Sequence, residues 1–196
     1  MIKVQAFQNS YMKSCSYCIF DDNTKEAYVI DPGDFKPIVD FLTSNGCNLF
    51  GIFITHCHID HVDGFNDLYK TFPSANIYCS EETFKGLKNE RINMSYIFSE
   101  DEFITPEALC YTFLNEESKL QCFDKDIKIL ETPGHDIDCL TYIIGQYIFT
   151  GDCYSPELQM QHCWFRSDKV KAKESELRII DILRRYGLTV CAGHHI

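Results

Sequence analysis

Residues 55–61 read THCHIDH, three histidines and an aspartate packed directly behind the apolar run LFGIFI. The chain has seven histidines in all, so this cluster constrains the fold more than any other stretch. An apolar strand must deliver these side chains to one place at its end, which is where α/β scaffolds build their sites. In an extended segment successive side chains alternate in direction. His56 and His58 therefore leave on one side while Cys57 points away, and the two imidazoles can share one ion. Asp60 and His61 then reach a neighbouring position.

Three further segments end an apolar run with a turn and a potential ligand: LETPGHD, IFTGDC and VCAGHH. They add His135, Asp152 and His194. Imidazole and carboxylate together suit zinc, manganese or iron, and the lack of cysteine in these slots argues against a closed structural zinc site. Asp152 has two oxygens with which to bridge neighbouring ions. Gly134 and Gly151 each precede a candidate ligand and permit the tight turns a crowded site needs.

The remaining sequence reads as sheets covered by helices, in the α/β or α+β range. IKVQAF, SCSYCIF and AYVID open the chain as hairpin strands. Asp34 is placed to cap a helix through Phe35, Ile38, Val39, Phe41 and Leu42, which Gly46 closes. GFNDLYKTF and EETFKGL read as helices with the strand NIYCS between them. Residues 88–118 are weakly periodic, with loops and one strand, ALCYTFL. IKILETP, CLTYIIG and YIFTGD give three more strands. KAKESELRIIDILRRYG is an amphipathic helix with Leu177, Ile180, Ile182 and Leu183 on its apolar face, and LTVCAGHHI is a final strand.

At 196 residues and 45% apolar composition, without a Pro/Gly/Ser-rich linker, one domain over 1–196 is expected. A net charge of −11 and the lack of a protein-wide basic surface disfavour nucleic acid as a partner. No stretch has the length of a membrane span, and no secretion signal opens the chain, so a cytoplasmic protein acting on a small molecule is expected. The oligomeric state is not legible. Eleven cysteines, an odd number, fit buried thiols better than a disulfide framework, and the lone pair Cys15 and Cys18 reads as strand packing.

The ordered set THCHIDH, TPGHD, TGD and GHH resembles the metallo-β-lactamase-fold hydrolases, and most of all their glyoxalase II-like (hydroxyacylglutathione hydrolase-like) branch. VIDPG at 29–33 is similar to an early Asp motif of that family. FRSD at 165–168 lies where the branch has a Gly-Arg-Ser/Thr-Asp segment. The resemblance implies a four-layer αβ/βα sandwich with two divalent ions in a cleft, most simply zinc, with iron or manganese as other options. One ion would be held by His56, His58 and His135, the other by Asp60, His61 and His194, with Asp152 bridging. Asp31 would steady the histidine loop from behind, or else serve only as the turn residue before Pro32.

Such a pair of ions generates hydroxide at neutral pH and polarises a carbonyl. The expected activity is hydrolysis of a small thioester or ester, with Asp60 as the acid/base group. Tyr154 and Arg166, with His162 and Trp164, are candidates to touch substrate, although Arg166 could equally pair with an acid. The chain stops two residues after His194, so the glutathione-binding helical domain of glyoxalase II is expected to be missing. It also departs from the branch pattern at Asp136 (usually Thr or Ser), Phe165 (Gly) and His195 (Gly); His195 is expected at the surface, with a substitute ligand as the alternative. The alternatives are a single-iron sulfur dioxygenase using His56, His135 and Asp152, a phosphodiesterase or nuclease, and a non-catalytic metal-binding relative.

Overall fold

The computed structural model describes residues 2–98, 103, 105, 110–159 and 164–195. Its strands are β1 (Ile2–Gln8), β2 (Cys15–Asp21), β3 (Glu26–Ile30), β4 (Asn48–Phe53), β5 (Asn76–Cys79), β6 (Tyr111–Phe113), β7 (Leu120–Cys122), β8 (Lys125–Glu131), β9 (Leu140–Ile144), β10 (Tyr147–Gly151) and β11 (Thr189–Ala192). The helices are α1 (Phe35–Asn45), α2 (Ile59–Val62), α3 (Phe65–Thr71), α4 (Glu81–Leu87), α5 (Ser95–Phe98) and α6 (Lys169–Tyr186). β1 to β6 form one sheet in chain order, and the second runs β11-β10-β9-β8-β7. The first sheet is antiparallel from β1 to β3 and parallel from β3 to β6. The second is an antiparallel meander to which β11 adds in parallel.

The layering follows from the two-residue period of a strand. Along β2, Cys15, Tyr17 and Ile19 point into a core between the sheets, where they meet Phe53, Ile129, Tyr142 and Phe149. Cys18 and Phe20 point the other way, into a core shared with Ile38 and Leu42 of α1, Phe65 and Leu68 of α3, and Leu87 of α4. On the far side of the second sheet, Leu130 and Ile148 pack against Ile179 and Ile182 of α6. Helices, sheet, sheet and helix thus make the expected four-layer sandwich. Each fully buried Ile, Leu or Phe contributes about 1.5–3 kcal/mol to holding it together. Cys15 and Cys18 lie in different cores, so they cannot bridge, and all the described cysteines are free thiols.

Four local expectations need correction. Asp34 occupies the N-cap position of α1 but makes no cap bond, because its carboxylate accepts from the Ser10 backbone N–H and hydroxyl. The buried stripe of α6 is Ala172, Ser175, Ile179 and Ile182, and Leu177 is exposed. The last strand ends at Ala192. Beyond it, Gly193 to His195 turn inward, with His194 bridging Ser14. Part of ALCYTFL lies outside the described residues, and the strand there is limited to Tyr111–Phe113. Among the described residues no helix is long and apolar enough to cross a membrane.

Candidate metal centre

The histidine cluster leaves the end of β4 in extended form through His58 and then coils into α2, which carries Asp60 and His61. His135 comes from the β8–β9 loop, Asp152 follows β10, and His194 follows β11. All six meet His56 at one end of the two sheets. Ligand atoms of His56, His58 and His135 lie within 4.8 Å of one another, and so do those of Asp60, His61 and His194. Asp152 stands between the two trios. Its Oδ2 is 3.4 Å from both His135 Nε2 and His194 Nε2, and its Oδ1 is 3.2 Å from His61 Nε2.

Asp31 explains why the rings face inward. Its Oδ1 accepts from the Thr55 N–H at 2.7 Å, and its Oδ2 accepts from the Thr55 hydroxyl at 2.6 Å. Oδ2 also lies 3.1 Å from His61 Nδ1, a carboxylate oxygen facing a ring N–H. Because the Thr55 proton goes to Asp31, its oxygen is left to accept from His56 Nδ1 at 3.0 Å. Both imidazoles therefore keep a proton on Nδ1 and turn Nε2 into the site. A third grouping of Asp31, His56 and His61 also has metal-like spacing, but these Nδ1 bonds account for it. Asp31 is a turn residue as well, buried with φ 53, a conformation that costs a non-glycine residue energy.

The site's polar atoms fit a cation. His56 Nε2 is buried and makes no hydrogen bond among the described residues, and the buried His61 Nε2 and Asp152 Oδ1 face each other at 3.2 Å without a well-formed one. Orphans of this kind are costly unless a ligand satisfies them. Burial would raise the Asp152 carboxyl, but the charges of His61 and His135 hold it well below the usual range. Burial also disfavours charge on His61 and His194. Asp60 and Asp152 nevertheless pull His61 well above its ordinary value and His194 to about 9. In His56 no carboxylate prevails, and burial followed by the neighbouring His61 and His58 pushes it well down. Ionised carboxylates among imidazoles thus favour added positive charge, which protons or metal ions can supply.

Two close approaches make this convergence sterically feasible. A Cβ on Gly193 would fall 2.1 Å from Asp152 Oδ1, and one on Gly134 (φ 139) would fall 2.2 Å from the backbone of Ala172. The FRSD segment clasps the His135 turn from outside. The Ser167 hydroxyl donates to the His135 carbonyl at 2.7 Å, and the Asp168 N–H donates to the Gly134 carbonyl at 2.9 Å.

A cavity of about 370 Å³ opens onto His58, Asp60, His135, Asp152 and His194 and is walled by Met12, Lys13, Met94, Leu158 and Trp164. Of these wall residues Leu158 and Trp164 were legible in the sequence, as part of the apolar, aromatic stretch 154–165 that follows Asp152, whereas Met12, Lys13 and Met94 come from distant turns. Two expected substrate contacts do not line it. Tyr154 packs beside the α6 core and its carbonyl accepts from the Thr150 hydroxyl. Arg166 is drawn to the buried carboxylate of Asp136 at 2.9 Å. His162 lies outside the described residues. His195 is still about 34% exposed, and it lines the cavity because the strand has ended before it; its Nε2 lies 2.8 Å from the Tyr17 hydroxyl.

The metallo-β-lactamase superfamily profile matches residues 14–153. The chain belongs to the metallo-β-lactamase superfamily. A curated hydroxyacylglutathione hydrolase of Pseudoalteromonas translucida is 29% identical over 150 residues, 76% of this chain and 48% of that protein. One from Bdellovibrio bacteriovorus is 28% identical over 151 residues, 76% of this chain and 50% of its own length. The chain thus spans about half the length of these superfamily relatives. Among solved superfamily structures, the B3 metallo-β-lactamase BLEG-1 superposes with TM-score 0.87 at 20% identity, over 99% of this chain and 92% of that one. TTHA1623, solved in a di-iron-bound form, gives 0.79 at 18% over 98% and 92%, and ETHE1 from Myxococcus xanthus gives 0.74 at 19% over 99% and 76%. At these identities the superpositions speak for the superfamily fold alone.

Proposed function

We propose that this chain is a metal-dependent hydrolase with a dinuclear centre, acting on a small thioester or ester. The observation that carries the proposal is the position of Asp152, one of whose oxygens is equally near the His56–His58–His135 trio and the Asp60–His61–His194 trio. In this reading each trio holds one divalent ion and Asp152 is shared. Zinc is the first choice, and iron or manganese also suits the donor set. A completed second trio favours two ions over the single-iron dioxygenase alternative.

When bound, two such ions acidify water and polarise a carbonyl. The protein's part is to hold the substrate and to manage a proton. Asp60 borders the cavity with its Oδ2 3.3 Å from His194 Nε2, so its carboxylate is placed to accept or return a proton at the reacting centre. The largely apolar wall suits an acyl group, and the cavity volume suits a small metabolite. The hydroxyacylglutathione hydrolases among its relatives support a thioester as substrate.

A panel of acyl thioesters, lactones and phosphodiesters tests the activity. Thioester hydrolysis that a chelator abolishes and added metal restores is expected. His58→Ala and Asp152→Ala should each lower turnover at least about 100-fold with the fold retained. Near-normal turnover in either metal-replete variant would contradict the site.

A further inference from the structure

His58 is held differently from the other two histidines of its loop. The Asp31–Thr55 pair orients His56 and His61 from the side of the first sheet. The oxygen nearest the outer nitrogen of His58 comes from the opposite side of the site. Its Nδ1 lies 3.0 Å from His135 Nε2, and its Nε2 faces Asp136, whose Oδ2 is 3.4 Å away. Asp136 is only 1% exposed, a costly place for a carboxylate without a counter-charge. Its other oxygen meets that counter-charge, Arg166 Nη2, at 2.9 Å. The arginine is itself mostly buried and sits beside Ser167 and Asp168, the residues that clasp the His135 turn. Arg166, Asp136 and His58 thus form a buried row that ends on the ligand cluster, with Trp164 packed edge-on to the His58 ring.

We propose that Asp136 and Arg166 are positioning residues of the metal site, acting through His58 to keep its proton on Nε2 and to aim its Nδ1 lone pair into the ligand cluster beside His135. The proposal rests on the metal-site reading above. A carboxylate behind a ligand imidazole fixes the tautomer and raises the ring's basicity. Arg166 makes a carboxylate tolerable at this depth, because the pair enters the interior with no net charge. The arginine that the sequence offered for substrate thus acts on the protein itself.

The test uses the full chain and zinc, with chelator competition to measure affinity and long-range ¹H–¹⁵N spectra to read the His58 tautomer. Asp136→Thr combined with Arg166→Met removes both charges together, so neither is left buried alone. The double variant should bind one of the two ions about 10- to 100-fold more weakly, leave the other unchanged, and lose the pure Nε2–H spectrum of His58. Arg166→Lys, which keeps the counter-charge, should recover part of the affinity lost in Arg166→Met. Wild-type affinity for both ions with an unchanged His58 spectrum in the double variant would overturn the proposal. If the double variant does not fold, Asp136→Asn serves, since it keeps the shape and removes the anion, and the same two outcomes decide. Should the wild-type chain bind no zinc, the metal-site reading fails. The tautomer comparison in metal-free protein then still decides whether Asp136 governs His58.

Discussion

Thr55 shows how much of the site depends on residues that touch no ion. Its hydroxyl links Asp31 to His56, so one oxygen fixes the proton position of a ring in the neighbouring trio. Thr55→Val keeps the shape and deletes that link, leaving the buried His56 ring N–H without its partner and Asp31 Oδ2 with His61 Nδ1 alone. We expect a loss of about 1–3 kcal/mol in urea unfolding of the metal-free protein and about 10-fold or greater weakening of zinc binding by chelator competition. Unchanged stability and affinity would show that Asp31 orients the loop without Thr55. The seven-residue stretch THCHIDH makes His56, His58, Asp60 and His61 conspicuous in the sequence. The Asp31–Thr55 link is not, because 24 residues separate the pair and only the parallel pairing of Ile30 with Phe53 sets them side by side.

At the level of elements, the site depends on where strands stop. β11 ends at Ala192, and Gly193 then passes so close to Asp152 that no side chain fits between them. Gly193→Ala should displace Asp152 and reduce bound metal while the circular dichroism spectrum is retained; full metal content would contradict this. α6 makes a different contribution, since Asp168 caps it by accepting from the Val170 and Lys171 N–H groups while its own N–H holds the His135 turn. Asp168→Ala should cost about 1 kcal/mol in thermal unfolding through the lost cap. The strand and helix order was legible because apolar periodicity is strong in β2, β4, β8 to β10 and α6. The apolar face of α6 was misread at Leu177 because two adjacent isoleucines, Ile179 and Ile180, allow two stripes, and only packing on Leu130 and Ile148 selects one. The early end of β11 was hidden because Gly193 and the histidines after it look like a continuing strand.

For the whole molecule, acid stability combines opposing contributions, and Asp138 isolates one of them. It is fully buried, and burial followed by the charge of Asp136 raises its carboxyl from 3.8 to about 6. The folded chain therefore keeps a proton that the unfolded chain releases. The stabilisation from Asp138 is present at the acid end and is lost as pH rises through about 6, a change of at most about 3 kcal/mol. Asp138→Asn keeps an acceptor for the Cys57 N–H and removes the titration. Its stability relative to the native sequence in urea unfolding should rise between about pH 5 and pH 7, and a constant difference would contradict this. The central claim concerns the six ligands and the shared Asp152, which four chain segments bring to one end of both sheets. Elemental analysis of protein purified without added metal or an affinity tag tests it most directly. The account predicts about two zinc, iron or manganese ions per chain; a single iron, or no tightly held metal even after reconstitution, would contradict it.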